Sequence, residues 1–354
     1  ARAHEPSIRR FLRATPAPPR QPRLPSQNGT ETLEASPPRA RPVTAPRRTW
    51  QAGGPDPHIS LVTWNVQGMH RASRESTDLQ RVVDEHSPSV LCLQETWIGR
   101  TDRWGKPAPL RDYTVYRTAP VRKEGRKGRN CAGLLTAISQ DLRPSTAATV
   151  LPVSKEHHGY IQPILLDTGD PKTLLINVYV PPIAWGTLPE ETVTESEALR
   201  AGVLKETSEI VTDQRLRWPG LVTIMGGDLN ATARDGDRRS GRATETDRMY
   251  REWLTALRLA PCDGDGDREH TYTPTASRLA GTEEGSGRID DWLMDRGALL
   301  TRQGTDRATR TLSLDHDSDH DPLYLQIYAE DYAPPGAPPQ QTPIRRVVSP
   351  LTPN

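Results

Sequence analysis

Proline is distributed so unevenly along this chain that it decides where a fold can form. Of 34 prolines, 12 lie in residues 1–57 and 7 in residues 332–354. Proline fixes φ and removes a backbone donor, and its companions here are Arg, Ala, Ser, Thr and Gln (TPAPPRQPRLP, SPPRARPVTAPRR, YAPPGAPPQQTP). Such stretches bury too little apolar surface to offset the entropy of ordering. Residues 1–57 are therefore expected to be a disordered basic arm and residues 332–354 a disordered Pro-rich tail. Residues 58–331 are expected to form one folded domain, a comfortable size for a single α/β core.

Charge divides along the same boundaries. The first 57 residues hold ten Arg, no Lys and four acids, a net of +6, and the last 23 hold two Arg and no acid. Against a total of +1, the middle is left at −7. A general nucleic-acid binder would show a basic folded domain, so a phosphate-handling role here must rest on local Arg clusters and a metal. Three cysteines, Cys92, Cys131 and Cys262, are too few and too odd for a disulfide framework, which points to a reducing, intracellular setting. No apolar run nears the ~20 residues of a membrane span. The opening ARAHEPSIRR lacks the apolar stretch of a signal peptide and does not begin with Met, as expected of a piece of a larger polypeptide.

Order is expected from His58. The run Ile59–Asn65 reads as a strand; Leu79, Val82, Val83 and His86 recur at helical spacing behind Ser76 or Thr77 as cap. Residues 89–95 (SVLCLQE) read as a buried strand ending in a carboxylate. Further strands are predicted at 113–118, 132–138, 161–166, 173–180, 221–225, 289–294 and 323–328, and helices at 190–216 and 245–259. Many strands with few helices between them imply two packed sheets with helices outside, not a barrel or a simple doubly wound sheet.

Five segments then deliver polar side chains at strand ends: Trp64-Asn65-Val66-Gln67-Gly68, Leu93-Gln94-Glu95, Asn177–Pro181, Gly226-Gly227-Asp228-Leu229-Asn230, and Arg288-Ile289-Asp290 with Ser318-Asp319-His320. One rim of a sheet is where ligand sites form. A hard divalent cation needs carboxylate oxygens, which Glu95 and Asp319 supply. A nucleophilic water needs an acceptor and an orienting group, which Asp228 and Asn230 supply two residues apart. A catalytic His needs an acid to support its charged form, and Asp290 suits His320. Singly, each segment is more often a turn or a cap; in this order, over one domain-sized span, they are specific.

On these motifs the chain resembles the endonuclease/exonuclease/phosphatase superfamily over about 58–330. The resemblance implies a four-layer α/β/β/α sandwich, two packed mixed sheets flanked by helices. It implies that Asn65 contacts the scissile phosphate or the water, that Glu95 is the principal ligand of Mg²⁺ (or Mn²⁺), and that Tyr179 binds phosphate or assists the leaving group. Asp228 and Asn230 would position the water, and Asp319 would lie near it or the metal. Asp290 would pair with His320, with the base left open between His320 and Asp228. The implied reaction is hydrolysis of a DNA phosphodiester to 3′-hydroxyl and 5′-phosphate ends, in the nucleus. Apurinic/apyrimidinic endonucleases of this type carry Asp where this chain has Gln67 and Asn where it has Pro182. Those departures, with LCLQETW, NVYVPP and SGRIDDWL, are most like the endonuclease domain of non-LTR retrotransposons, where a reverse transcriptase would lie in the same polyprotein.

The alternatives are a repair endonuclease or an RNA deadenylase of the same superfamily, and, from another class, an inactive copy serving as a binding module. Two basic loops are candidates for tracking phosphates: Arg126, Lys127 and Arg129 in one, and Arg234, Arg238 and Arg239, just past Asn230, in the other. Trp97 is more readily a packing residue than a base-stacking one, and His157 and His158 read as surface histidines.

Overall fold

The computed structural model describes residues 58–69, 75–99, 107–121, 131–142, 147–167, 172–183, 190–238, 240, 243–262, 269–274, 285–296, 308–312 and 318–328. The arm and tail expected to be disordered, and the basic loop at 122–130, lie outside the described residues.

Twelve strands form two six-stranded sheets. The first takes β1 (His58–Asn65), β2 (Val90–Gln94), β3 (Tyr113–Arg117), β4 (Leu135–Ser139), β11 (Ala308–Thr311) and β12 (Leu323–Tyr328), in the order β11-β12-β1-β2-β4-β3. The second takes β5 (Ala147–Val150), β6 (Ile161–Asp167), β7 (Thr173–Tyr179), β8 (Val222–Asp228), β9 (Leu259–Pro261) and β10 (Asp290–Asp295), in the order β5-β6-β7-β8-β10-β9. Each sheet has one parallel pair, β1 with β2 and β7 with β8, and is otherwise antiparallel.

Strand alternation assigns each side chain to a layer. Leu61, Val90, Cys92, Leu175, Ile224, Trp292, Leu323 and Leu325 meet between the sheets. Their neighbours Val62, Trp64, Leu91 and Leu93 point the other way, onto Leu79 and Val82 of α1 (Glu75–His86). On the far side Leu174, Ile176, Val178, Met225 and Leu293 pack on α2 (Glu190–Arg217) and α3 (Glu245–Leu257). The result is the four-layer sandwich that the motifs imply. Helix α2 is hardly amphipathic by composition: its buried stripe, Arg200, Val203, Leu204, Thr207, Val211 and Gln214, keeps helical spacing but is half polar.

Two expectations shift. The sequence predicts a strand over 132–138, yet β4 starts only at Leu135, because Ala132 (φ +60°) and Gly133 (φ +87°) are left-handed and break the extended run. The short edge strands β5, β9 and β11 have no expectation to match. Residues 147–150 are half-exposed or exposed, and only Ala148 and Val150 turn toward the core between the sheets, too short an alternation to stand out in the sequence.

The topology explains why distant motifs meet. Parallel pairing sets Asn65 opposite Gln94 and Tyr179 opposite Asp228, so β1, β2, β7 and β8 all end at one rim. Strands β10 and β12 run antiparallel to β8 and β1, so they start there, with Asp290 opposite Asp228 and Leu323 opposite Thr63. Gly227 is required at this crowded end, since a Cβ there would sit 1.8 Å from the Val178 carbonyl oxygen. Among the described residues no helix is long and apolar enough to cross a membrane.

Candidate active site

The rim holds a cleft of about 360 Å³ whose walls include Gln67, Glu95, Tyr179, Asp228, Asn230, Asp319 and His320. Asn65 ties its two halves together. Its buried Nδ2 donates to Glu95 Oε1 and to Asp228 Oδ2, both at 2.9 Å, so one amide bridges the first sheet to the second. Asn65 is itself held, since its Oδ1 accepts from the Gln67 backbone N–H (3.1 Å) and its carbonyl from the Ser318 hydroxyl (2.7 Å).

Backbone strain is concentrated at the same rim. Gln67, Glu95, Trp97 and Asn230 all have φ between +46° and +54°, a region that costs a side-chain-bearing residue free energy and persists where the surroundings impose it. Each sits one to three residues past a strand end, where the turn aims a side chain into the cleft. Gly68 (φ +107°) completes the first turn, and the Trp97 ring lies so close that a Cβ on Gly68 would come within 2.1 Å of it. Trp97, 9% exposed, is thus a packing residue as expected, but its indole N–H also donates to Glu95 Oε2 (3.3 Å). Glu95 is therefore oriented by two separate donors, one on each oxygen. Burial first, and then the Glu95 and Asp228 charges, push the Tyr179 hydroxyl well above its ordinary range, so it stays a donor. Tyr160 stacks behind it at 6.0 Å.

On the opposite wall, His320 Nδ1 meets Asp290 Oδ2 at 2.9 Å. Its Nε2 lies 3.8 Å from Asp228 Oδ2 and 3.7 Å from Asp319 Oδ1. Burial opposes charge on this imidazole, but Asp290, Asp228 and Asp319 outweigh it and raise the His320 pKa to about 10. Asp228 moves the other way from an ordinary carboxylate. Burial raises it, Asp290 adds to that, and the opposing pull of His320 and Asn65 leaves it at about 7. The environments therefore give a protonated imidazole beside a carboxylate poised to exchange a proton near neutrality. The backbone carbonyl of His320 accepts from Trp64 Nε1 (2.9 Å), and the backbone N–H of Asp290 donates to Thr271 Oγ1 (3.1 Å). Asp290 Oδ1 is buried with no partner among the described residues.

The donor set suits a hard cation. Glu95 and Asp319 present carboxylate oxygens to the cleft, and Gln67 Nε2 hydrogen-bonds to Asp319 Oδ1. Asp228, Asp290 and His320 also place ligand atoms within 4.8 Å of one another. An imidazole charged at neutral pH has no lone pair to offer, however, so the all-oxygen side is the better match.

The structure thus places Asn65, Glu95, Tyr179, Asp228, Asn230, Asp290, Asp319 and His320 together. Asn230 is seated by its own amide on the Val180 carbonyl (3.0 Å), while its N–H caps Asp228 Oδ1 (2.9 Å). Of the basic residues, Arg238 lines the cleft; Arg234 is not part of its wall. Arg126, Lys127, Arg129 and Arg239 lie outside the described residues. Sequence reasoning missed the supports Thr271, Tyr272, whose ring tilts against His320 at 5.0 Å, and Asp247, which holds Arg238, and gave Ser318 no role of its own. Each is an ordinary residue type in an ordinary turn or helix start, and only the tertiary contact marks it.

No curated protein matches the chain closely. Among solved structures it is similar to an AP endonuclease from Leishmania major (18% identity, TM-score 0.60, covering 81% of this chain and 92% of that one). It is also similar to the 3′ phosphatase NExo from Neisseria, solved with a product DNA hairpin (15%, 0.56, 75% and 98%), and to an AP endonuclease from Archaeoglobus fulgidus (18%, 0.55, 76% and 99%). At these identities the likeness is one of fold, the sandwich of two mixed sheets with flanking helices. The sequence profile of the endonuclease/exonuclease/phosphatase family matches residues 62–320, from β1 through His320, and the chain belongs to that family.

Proposed function

We propose that this chain is an active, Mg²⁺-dependent endonuclease that nicks DNA, of the kind found in non-LTR retrotransposons. The observation that carries the reading is the Asn65 bridge, which holds Glu95 and Asp228 within two hydrogen-bond lengths of each other in a cleft shared with the His320–Asp290 pair. A scissile phosphate between them would meet a cation-binding carboxylate, a proton acceptor and a charged donor at once.

Glu95 and Asp319 would hold the divalent cation, which when bound neutralises charge on the phosphoryl oxygens. Asn230 and Asp228 orient a water, and Asp228, not His320, accepts its proton. An imidazole already protonated below about pH 10 cannot take another, whereas a carboxylate near 7 can. The water oxygen forms the new bond to phosphorus and the bond to the 3′ oxygen breaks. His320, kept charged by Asp290, and Asn65 face the oxygens where charge grows. Tyr179 stays protonated beside them.

Gln67 favours the retrotransposon reading over the repair one. Where a repair enzyme of this type has a carboxylate, this chain has an amide that hydrogen-bonds to Asp319, so the cation site carries one charge fewer. DNA as substrate is supported by the folds compared above, two of them AP endonucleases and one bound to DNA. The test is nicking of supercoiled plasmid with Mg²⁺, alongside an abasic duplex and poly(A) RNA. Plasmid nicking that vanishes in Glu95→Ala is expected. Preference for the abasic duplex or for RNA would replace the reading with repair or deadenylation, and inactivity on all three would leave a binding module.

A further inference from the structure

Asp247, in the first turn of α3, is fully buried. Its carboxylate takes five donors: Arg238 Nε (2.8 Å) and Nη2 (2.9 Å), the Thr232 backbone N–H (2.8 Å), and the Thr244 backbone N–H and hydroxyl (2.7 Å each). Burial alone would raise this carboxyl, but Arg238, Thr244 and Thr232 together hold it well below the usual range. Part of this is helix capping, since Thr244 and Asp247 form a reciprocal capping box. Capping does not require an arginine.

Arg238 is fixed from its other end as well. Its backbone bridges Gly287, and the adjacent Asp237 carbonyl accepts from Arg288 N–H (2.8 Å), on the segment leading into Asp290. The guanidinium therefore stands at a set place in the wall that holds Asp228, Asn230 and His320. Its Nε and Nη2 are spoken for; Nη1 makes no hydrogen bond among the described residues, and the side chain is 25% exposed. Thr246 lines the same wall at 6% exposure, and its hydroxyl is neither sealed nor hydrogen-bonded among the described residues.

We propose that Arg238 Nη1 and the Thr246 hydroxyl form a subsite for a second phosphate of the DNA strand, next to the scissile one, with Asp247 as the residue that positions Arg238. The assignment rests on the nuclease reading. Asp247 offsets part of the Arg238 charge, so the subsite offers a charge-assisted donor in a fixed direction rather than general attraction for a polyanion. Phosphate contacts of this kind set register along the strand without reading sequence. In a folded region of net negative charge, such a contact would settle which phosphodiester lies over Asp228.

The test uses the full chain and a labelled DNA duplex, with binding measured in EDTA over a salt series and nicking measured with Mg²⁺. Arg238→Gln is expected to weaken binding roughly tenfold and to lower the slope of log K against log salt by about one. Thr246→Val, which keeps shape, is expected to weaken binding about threefold. Asp247→Asn leaves the Arg238 charge but loosens it, so KM should rise about tenfold with kcat and the salt slope little changed. A merely structural role would lower Tm in Asp247→Asn and leave KM alone. If Asp247→Asn fails to fold, Arg238→Gln and Thr246→Val decide. Wild-type affinity and salt slope in both would overturn the subsite while plasmid nicking stands; no nicking by the wild type overturns the nuclease reading instead.

Discussion

Among the described residues, two histidines lie against carboxylates at hydrogen-bonding distance, and they have opposite fates. His320 Nδ1 meets Asp290 at 2.9 Å; His157 Nδ1 meets Glu206 at 2.6 Å. Around His157 every charge has a nearby answer. Glu206 Oε1 accepts from the Ser154 N–H and Oε2 from the Ser154 hydroxyl, both at 2.6 Å, and the Nε2 edge of the ring packs on Gly202 of α2, where a Cβ would come within 2.5 Å. This Ser–His–Glu group fastens the 151–160 loop to a helix. Around His320 three carboxylates share one imidazole, one of their oxygens is buried without a partner among the described residues, and Nε2 lies beside Asp228 and Asp319 of the cleft wall. A histidine–acid contact therefore says little by itself. What marks a reactive site is an excess of charge left unresolved next to space for a ligand.

The largest effect separates the pairs directly. His320→Ala is expected to cut nicking by about 10³-fold with far-ultraviolet circular dichroism unchanged. His157→Ala should keep the rate within about twofold and lower Tm by several degrees, as loss of a half-buried tie between a loop and a helix does. Comparable rate losses in both would erase the distinction.

The pH profile sharpens it. Asp228 must be deprotonated to accept a proton, so kcat should rise with pH through about 7. His320 must stay protonated to donate, so kcat should fall above about 10. The expected bell is flat between those values, with a tenfold loss per pH unit beyond either limb, and the same in His157→Ala. An acidic limb near 4, measured on kcat, would show that burial does not raise the Asp228 carboxyl in the metal-loaded enzyme.

How much of this was legible beforehand follows from what each residue depends on. Asn65, Glu95, Asp228 and His320 could be found because each ends or precedes an apolar run, and a strand end is a local property. The convergence of the motifs was less visible, since it needs β10 and β12 to run antiparallel to their neighbours while β2 and β8 run parallel. Gln67 was noticed as a missing acid; that its amide would occupy an Asp319 oxygen depends on a strained turn that no spacing reveals. Asp247 stands within a predicted helix with nothing in the sequence to single it out; its hold on Arg238 is a tertiary contact. His157 reads from sequence as a surface histidine, because its partner Glu206 lies 49 residues away on a long helix.

Gln67→Asp tests the charge side of the contrast. It would place a second acid beside Asp319, so the Mg²⁺ concentration for half-maximal nicking should fall severalfold. Without metal, like-charge repulsion should lower Tm by a few degrees. An unchanged Mg²⁺ midpoint would mean that Asp319 does not face the cation.

The smallest effect belongs to Glu206. Burial pushes its carboxyl up, but Ser154 and His157 outweigh burial and hold it below the usual glutamate range. A carboxylate depressed on folding stabilises the native state above its unfolded pKa, and that stability is lost as pH falls through the folded value. Glu206→Gln should therefore lower Tm by ~2 °C at pH 7, where the wild-type acid is ionised in both states. The gap should close as pH drops below about 4, because the wild type then loses the advantage the variant never had. A gap that persists in acid would show that the glutamate contributes by shape and not by charge, and the His157 group would then be a packing feature rather than the balanced counterpart of the one at His320.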